Sequence, residues 1–434
     1  MKQDSSWQLR VALVLLLLLL AAPAFAAEEG GGIPPGTVIN MQNWQQYNQF
    51  FPPGMQAMFK GTYFWKFPPD FQMVIGPHHS LPPPKSFQDY TEKYSSQVKI
   101  VDLPDGRHTM TGYVSGWPFP NPQEPRKGLK LLIDNWFAYV PYLICGSITS
   151  GFEDRFGNVF RESNIFVYRR LSHIGDPGQP LTDPKAQGMD YSEYVMVTAP
   201  EQAKYTTDLT IYYTDYTKFE DTFLVIPALR RSLRLSTAAR CTPFIGSDLT
   251  LDDPRVNGFN GGFSRFNAEV VGEQKILNDI IQNVNLSDQW ENFYQPVFFA
   301  KPSIGKFEVR DTTIIDVHRV PSQAKGYCYG KRLMWIDNEL MMSDWQDIYD
   351  ESMKYWKSNF WPVVATHVPG QGDAITPNGW ANQWDQQVSH LSFWAFKNGN
   401  LTTGANADCR NRDGENMDDV GRYSTAAGLA QVLR

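Results

Sequence analysis

Residues 207–214, with the sequence TDLTIYYT, decide the fold class of this chain. Apolar and polar side chains alternate along them, and a period of two is typical of a β-strand with one buried face. Residues 221–235, DTFLVIPALRRSLRL, continue as a strand, a turn at Pro227 and a further strand. Strands joined by turns this short run in opposite directions, which predicts an antiparallel sheet rather than a doubly wound one.

Segments with a period of two recur further along the chain. The predicted strands and hairpins are 164–170, 191–198, 306–319, 331–350 and 392–403, the last with a turn at Asn398-Gly399. Helical spacing of apolar residues predicts two short helices within 41–60, one helix over 128–142 and a short one near 426–433. Dense prolines over 67–84 predict extended covering chain. The chain is therefore predicted to be α+β, and mainly antiparallel β.

The first 26 residues have the pattern of a secretory signal peptide. Lys2 and Arg10 precede an apolar run over 11–22, and Ala24-Phe25-Ala26 provides the small residues of a cleavage site. Cleavage after this site predicts an exported mature chain that acts in the periplasm. The first cysteine is Cys145, so no cysteine follows the cleavage site to carry a lipid, and the chain is not predicted to be a lipoprotein.

Four segments are predicted in the 434-residue chain. They are the signal peptide at 1–26, a flexible leader at 27–40, a single carrier-like domain at 41–404 that begins with the proline-rich covering segment, and a tail at 405–434. The leader is rich in Glu, Gly and Pro, and the tail is rich in Asn, Asp and Gly, compositions that are typical of mobile chain ends.

Composition narrows the classes of function. The net charge of -7 makes nucleic acid and anionic lipid headgroups unfavourable partners. Aromatic residues make up 14%, which is typical of β-structure and of apolar binding surfaces. Four cysteines permit three disulfide pairings in an oxidising compartment, and some pairing is expected. They are Cys145, Cys241, Cys328 and Cys409, and their spacing fits neither a redox motif nor a zinc motif.

No catalytic or metal-binding motif stands out. The sequence has no G-x-S-x-G, H-E-x-x-H, Walker or G-x-G-x-x-G pattern. Asp316 and His318 share one face of a predicted strand, but no nucleophile accompanies them. His78-His79 is interpreted as a solvated surface pair, and Asp252-Asp253 and Asp418-Asp419 as solvated turns. The sequence therefore predicts no catalytic residue, no metal and no cofactor.

A curved antiparallel sheet leaves its inner face to be filled by helices or by an apolar ligand. The residues predicted to line such a cavity are Leu209, Ile211, Tyr213, Phe223, Val225, Leu233, Trp335 and Trp356. Arg230, Arg231 and Arg234 form a basic cluster with two interpretations. It is either a solvated strand end or a site for the carboxylate or phosphate headgroup of the ligand.

Several short motifs resemble, in the same order, those of the bacterial domain-of-unknown-function family 1329. The matching segments are Gly116-Trp117-Pro118-Phe119-Pro120, Gly128-Leu129 with Trp136, the Pro–Arg-Arg hairpin of 221–235, Asp252-Asp253 with Gly258-Phe259-Asn260-Gly261, Lys331-Arg332 with Ile336-Asp337, and Tyr349-Asp350 with Trp356. They lie within 41–404, which is nearly the whole predicted mature chain.

This resemblance implies a fold similar to the periplasmic LolA/LolB lipoprotein carriers of Gram-negative bacteria, in which a strongly curved half-barrel sheet carries helices over its concave face. The implied function is binding and carrying a hydrophobic, lipid-like molecule, with an inner-membrane exporter and an outer-membrane protein as partners. Two alternatives stay open. One is a non-catalytic scaffold subunit of an envelope complex, and the other, less favoured, is a hydrolase that acts on a lipid or glycan.

Overall fold

The structure is a computed structural model. It describes residues 32–236, 240–243, 247–255, 258–281, 290–368, 372–377, 380–396, 402–403, 409–411 and 413–433. The predicted signal peptide and the predicted turn at Asn398-Gly399 lie outside these residues.

The strands and helices of the described residues follow one another from residue 38 to residue 429. In chain order the strands are β1 Val38–Asn40, β2 Gln72–Val74, β3 Lys99–Asp102, β4 His108–Thr111, β5 Leu143–Glu153, β6 Val159–Arg170, β7 Met189–Ala199, β8 Thr207–Tyr213, β9 Asp221–Ile226, β10 Arg231–Arg234, β11 Phe266–Ile281, β12 Phe293–Tyr294, β13 Phe299–Ala300, β14 Gly305–Arg319, β15 Tyr329–Asp337, β16 Ser343–Asp350, β17 Tyr355–Phe360, β18 Val363–Val368, β19 Gly372–Pro377, β20 Trp380–Asp385, β21 His390–Phe396 and β22 Thr402–Thr403. The α-helices are α1 Pro53–Lys60, α2 Lys85–Tyr94, α3 Lys127–Trp136, α4 Pro321–Ala324, α5 Val420–Tyr423 and α6 Ala426–Leu429.

One large sheet dominates the fold. Its order is β10-β9-β8-β7-β6-β5-β21-β20-β17-β16-β15-β14-β11-β18-β19, and β22 pairs with β5. Neighbouring strands are antiparallel except β11 and β18, which are parallel. Within the described residues the two end strands, β10 and β19, do not pair with each other, so the sheet stays open. The prediction of a mainly antiparallel fold is confirmed.

Helix α3 shows how strongly the sheet curves. Trp136 at its end packs against Tyr191 of β7 with ring centroids 5.7 Å apart, whereas Gly128 near its start lies against the backbone of Ala268 in β11. These strands are nine places apart in the sheet, a distance of about 40 Å if the sheet were flat. A helix of ten residues spans only about 15 Å. The sheet therefore wraps around α3, which lies on the concave face as predicted.

Chain from both ends of the sequence covers the convex face. The N-terminal part, including α1, packs over a cluster that contains Trp335 and Trp384. Residues 409–432 pack over the face of β5–β9 that carries Leu209. A disulfide between Cys145 and Cys409 fixes this C-terminal cover to β5, with Cα atoms 5.9 Å apart. The second disulfide joins Cys241 to Cys328.

The structure differs from the sequence predictions at several elements. The helix predicted over 128–142 ends at Trp136, because residues 137–142 lead directly into β5. β5, β11 and α2 were not predicted: β5 contains Gly and Ser residues that obscure its alternation, and a β-bulge between Val270 and Gly272 interrupts the alternation of β11. The two short helices within 41–60 and the helix near 426–433 are present. The last residues of the predicted leader, 38–40, form β1.

Candidate functional site

A cavity lies on the concave face between the sheet and residues 247–255 and Asn260. The cavity has a volume of about 100 Å³ and opens to solvent. Strands β5–β8 and β21 form the floor. The apolar side chains of the wall include Ile148, Phe152, Phe160, Phe166, Trp361 and Trp394. A concave apolar space with few polar groups is the usual form of a small-molecule site.

The alternation of side chains along each strand explains which residues reach the cavity. On β6 the residues Phe160, Glu162, Asn164 and Phe166 are two apart, so all four point to the concave face. The register places Phe152 of β5 opposite Phe160 and Ser150 opposite Glu162. The same rule brings Glu193 and Val195 from β7, and Asp208 and Thr210 from β8.

Three carboxyl groups cross the apolar floor as a stripe. Glu162, Glu193 and Asp208 are buried, and no Lys or Arg forms an ion pair with them among the described residues. Burial raises the pKa of Glu162 and of Asp208 to about 7 and that of Glu193 to about 8. Glu193 is therefore mostly protonated at neutral pH, and a protonated carboxyl group can donate a hydrogen bond.

Two polar atoms beside this stripe have no hydrogen-bond partner within the part of the chain that the structure describes. They are Oε1 of Glu193, a residue with 7% exposure, and Oδ1 of Asn164, with 2% exposure. The amide nitrogen of Asn164 donates to the Ser150 hydroxyl at 2.7 Å, which fixes the orientation of the amide group. Buried polar atoms are normally satisfied, so unpaired atoms in a cavity wall are candidate contacts for a ligand.

Arg255 is the positively charged residue of the cavity wall that faces the sheet. Its guanidinium lies 3.7 Å from the ring centroid of Trp136 and 4.5 Å from that of Tyr191, and one amino group donates to the Trp136 carbonyl at 3.0 Å. The Nε and Nη1 atoms of Arg255 have no hydrogen-bond partner among the described residues. The charge of Arg255 opposes the burial that raises the pKa of Glu193.

The wall segment is anchored by the two aspartates that precede Pro254 and Arg255. Asp252 and Asp253 are both 0% exposed, so the interpretation of this pair as a solvated turn is wrong. Asp252 pairs with Arg240 and Arg319, at 2.5 and 2.9 Å. Burial alone would raise its pKa, but these two arginines hold the pKa of Asp252 well below its usual range.

Asp253 is anchored in the same manner. It pairs with Arg332 at 2.6 Å and accepts a hydrogen bond from the Tyr329 hydroxyl at 2.7 Å. Burial is again the largest influence and would raise its pKa, yet Arg332 and Lys357 lower the pKa of Asp253 overall. Arginines and tyrosines from distant parts of the chain thus provide the hydrogen bonds and counter-charges that water would provide in a solvated turn.

The structure places the eight residues predicted to line a cavity elsewhere. Leu209, Ile211, Val225, Tyr213 and Phe223 belong to the convex-face cluster beneath the C-terminal cover, and Trp335 belongs to the cluster beneath the N-terminal cover. Leu233 lies on β10, at the open edge of the sheet. Trp356 packs against Tyr329 and donates to Asp385 at 2.6 Å. The polar neighbours Asp208 and Thr210, not Leu209, face the cavity, because the apolar residues of β8 are needed to hold the cover.

The predicted headgroup arginines also lie outside this cavity. Arg230, Arg231 and Arg234 are exposed, and Arg234 donates to Asp221 at 2.8 Å. Sequence reasoning missed Glu162, Glu193, Asp208 and Arg255. The sequence did contain a signal for Glu162, Glu193 and Asp208. Each is an acidic residue within a strand, where burial of a charge is unfavourable unless the residue has a functional role.

A second, more open cleft of about 430 Å³ holds the predicted Asp316 and His318 pair. Their side chains lie 3.6 Å apart, and the neighbouring Asp316 carboxylate raises the pKa of His318. The described lining of this cleft contains no Ser, Thr or Cys that could act as a nucleophile.

No helix among the described residues combines the length and the apolar character that crossing a membrane requires. No group of three or more His, Cys, Asp or Glu side chains among them is arranged to hold a metal ion.

The fold and cavity define a curved, open antiparallel sheet with an apolar site on its concave face. The chain belongs to the family described as protein of unknown function DUF1329, whose model matches residues 38–408. A search of curated proteins gave no significant match.

Three solved structures are similar to the chain. A DUF1329 family protein from Desulfovibrio piger has 14% identity and a TM-score of 0.47, with 71% of this chain and 100% of that chain covered. A candidate outer membrane lipoprotein-sorting protein domain from Vibrio parahaemolyticus has 12% identity, a TM-score of 0.43, and coverage of 62% and 90%. A LolA superfamily protein from Nitrosomonas europaea has 10% identity, a TM-score of 0.34, and coverage of 61% and 87%.

Proposed function

We propose that the protein is an exported, periplasmic carrier that binds a hydrophobic, lipid-like molecule in the cavity on the concave face. The observation that carries this proposal is the apolar wall of that cavity, which includes Phe152, Phe160 and Trp394. An inner-membrane exporter and an outer-membrane protein are the partners that such a carrier would serve. Catalysis is not part of the proposal.

The volume of the cavity limits how the ligand sits. At about 100 Å³ it is smaller than the roughly 300–1,000 Å³ of typical small-molecule pockets. A lipid-like molecule would therefore bury only one part in the cavity and keep the remainder outside it. The unpaired oxygens of Asn164 and Glu193 would contact a polar group of the buried part.

Binding of a fluorescent apolar probe, N-phenyl-1-naphthylamine, tests the proposal. Val195→Phe adds bulk to the cavity floor, and we expect it to weaken probe binding about tenfold or more, because the aromatic ring occupies the space of the ligand. Val159→Phe is the matched control, since Val159 is exposed and does not line the cavity. Equal probe binding by both variants would overturn the assignment of the site.

Extraction of the protein purified from its own envelope provides a second test. Mass spectrometry of the organic extract should identify a co-purified hydrophobe. An empty extract together with no probe binding by the wild-type chain would contradict the carrier function. If the wild-type chain binds the probe and Val195→Phe binds it equally well, the protein is still a carrier, but its ligand site is not this cavity.

A further inference from the structure

We infer that the protein docks on an anionic membrane surface through one end of its large sheet, and that the tips of five hairpins at this end enter the bilayer interface. The inference goes beyond ligand binding, because a docking edge can exist whatever the cavity holds. It rests on where the exposed apolar side chains lie.

The strand register brings these five turns to the same end of the sheet. In an antiparallel sheet successive turns alternate between the two ends, so the turns β5–β6, β7–β8 and β9–β10 share one end. Leu391 of β21 lies opposite Glu153, the last residue of β5, which adds the β20–β21 turn. Lys357 of β17 lies opposite Asp385 of β20, which adds the β16–β17 turn.

Each of these turns has an exposed apolar residue at its tip. In sheet order the tips are Leu229, Tyr205, Phe156, Val388 and Met353. Phe156 is 81% exposed and Val388 is 60% exposed. We call these five residues the tip row. Large apolar side chains at such exposure have no role in the core, and five of them in a row are an interaction surface rather than scattered surface residues.

Other exposed apolar residues adjoin the tip row. The ring of Tyr63 lies 5.3 Å from that of Tyr355, next to the β16–β17 turn. Phe64 packs on Trp65, whose indole nitrogen donates to the His390 carbonyl at 3.1 Å, next to the β20–β21 turn. With Val159 and Phe160 beside Phe156, nine of the twelve exposed large apolar residues in the described part of the chain lie at this end.

Basic residues flank the apolar tips. Because positive charges attract anionic headgroups, this arrangement favours an anionic bilayer over a protein partner. They are Lys66, Arg155, Lys204, Arg230, Arg231 and Lys354. The same turns contain the acidic residues Asp154, Glu201, Asp350 and Glu351. Glu153 and Asp385, at the ends of β5 and β20, are buried, so the side chains of this end that reach solvent are six basic and four acidic ones, a balance of +2 on a chain whose net charge is -7. Apolar and aromatic tips flanked by Lys and Arg match the boundary between acyl chains and anionic headgroups.

The tip row is also continuous with the cavity. Phe152 and Phe160, which line the cavity, stack with ring centroids 5.0 Å apart on the same hairpin that carries Phe156 at its tip. A molecule that leaves the bilayer at the tip row would therefore reach apolar side chains of the cavity wall along one hairpin.

Vesicle flotation tests the docking edge with the full protein. We expect the wild-type chain to float with phosphatidylcholine vesicles that contain phosphatidylglycerol, and the bound fraction to fall as salt is raised. Phe156→Ser with Val388→Ser should weaken binding about tenfold, because two interfacial apolar contacts are lost. Val271→Ser is the matched control, since Val271 is exposed on β11 outside these turns.

Arg155→Gln with Lys354→Gln separates the electrostatic part of the interaction. This variant should bind phosphatidylglycerol vesicles more weakly than the wild type and with a smaller salt dependence. Failure of the wild-type chain to float with anionic vesicles would overturn the inference, and so would equal flotation of the tip-row variant and of Val271→Ser. Retained probe binding by the tip-row variant would show that the cavity is intact and that only docking was lost.

Discussion

The guanidinium of Arg255 lies 3.7 Å from the centre of the Trp136 indole ring, and this contact joins the segment beside the cavity to the helix on the concave face. The two residues are far apart in sequence and belong to different structural elements. Their stacking helps to determine where the cavity wall stands relative to the sheet.

Arg255→Lys should destabilise the protein by about 1–2 kcal/mol, because a lysine ammonium cannot stack its charge flat on Trp136 and Tyr191 as the guanidinium does. Urea unfolding followed by tryptophan fluorescence measures the change. Arg234→Lys, at an exposed position, serves as the control and should leave the midpoint unchanged. A midpoint of Arg255→Lys equal to the wild-type value would count against the stacking.

Asp253→Asn should be more severe. The substitution keeps the shape of the side chain but leaves the buried guanidinium of Arg332 without its counter-charge, which costs about 3–5 kcal/mol. The same urea titration applies, with Asp413→Asn as an exposed control. If Asp253 were a solvated turn residue, both substitutions would have equally small effects.

Cys409→Ser should loosen the C-terminal cover without unfolding the sheet. Loss of the disulfide to Cys145 removes a link that is typically worth about 2–4 kcal/mol, and residues 409–432 would open from the convex face more often. Limited trypsin digestion should then cleave early at Arg422. Replacing Cys241 and Cys328 by Ser should not produce this early cleavage, because that disulfide lies elsewhere.

Stability should fall as the pH rises from about 5 to about 8. Burial raises the pKa of Glu193 to about 8 from an ordinary value of about 4.5, so the folded state holds a proton that the unfolded state has released. Raising the pH through this range therefore favours unfolding, and the buried Glu162 and Asp208 act in the same direction.

Glu193→Gln isolates the contribution of one carboxyl group. The variant should melt at about the wild-type temperature at pH 5, where Glu193 is neutral, and at least about 2 °C higher at pH 8.5, where the wild type must bury a charge or lose stability. Thermal scans at the two pH values measure this difference. A melting temperature that shifts equally at both pH values would show that Glu193 is not held protonated.

Much of the fold followed from local patterns. The alternation in 207–214 and in 306–319 predicted β8 and β14 nearly to the residue, and the helical spacing after Gly128 predicted α3. Local patterns failed at β5, where Gly146, Ser147 and Gly151 interrupt the alternation. That strand is recognised through its pairing with β6 and β21, which depends on residues far away in the sequence.

The candidate site shows most clearly what local sequence patterns can and cannot predict. Alternation established that Leu209 and Asp208 point to opposite sides of β8, and chemistry alone favoured the apolar side for a hydrophobic ligand. The structure places Leu209 against the C-terminal cover and Asp208 at the cavity. Which face of a strand is buried by the chain itself depends on a segment about 200 residues away, so no local pattern contains it.

The sequence by itself determined the period of strands such as β8 and β14, the class of the sheet, the family and the absence of recognisable catalytic motifs, because these depend on the order of neighbouring residues. The tertiary structure alone decided that Asp252 and Asp253 are buried, that acidic residues face the cavity, and that Phe156 and Val388 share one end of the sheet. Burial and register arise from the curvature of the sheet and from long-range pairing, which bring together residues that the sequence keeps apart.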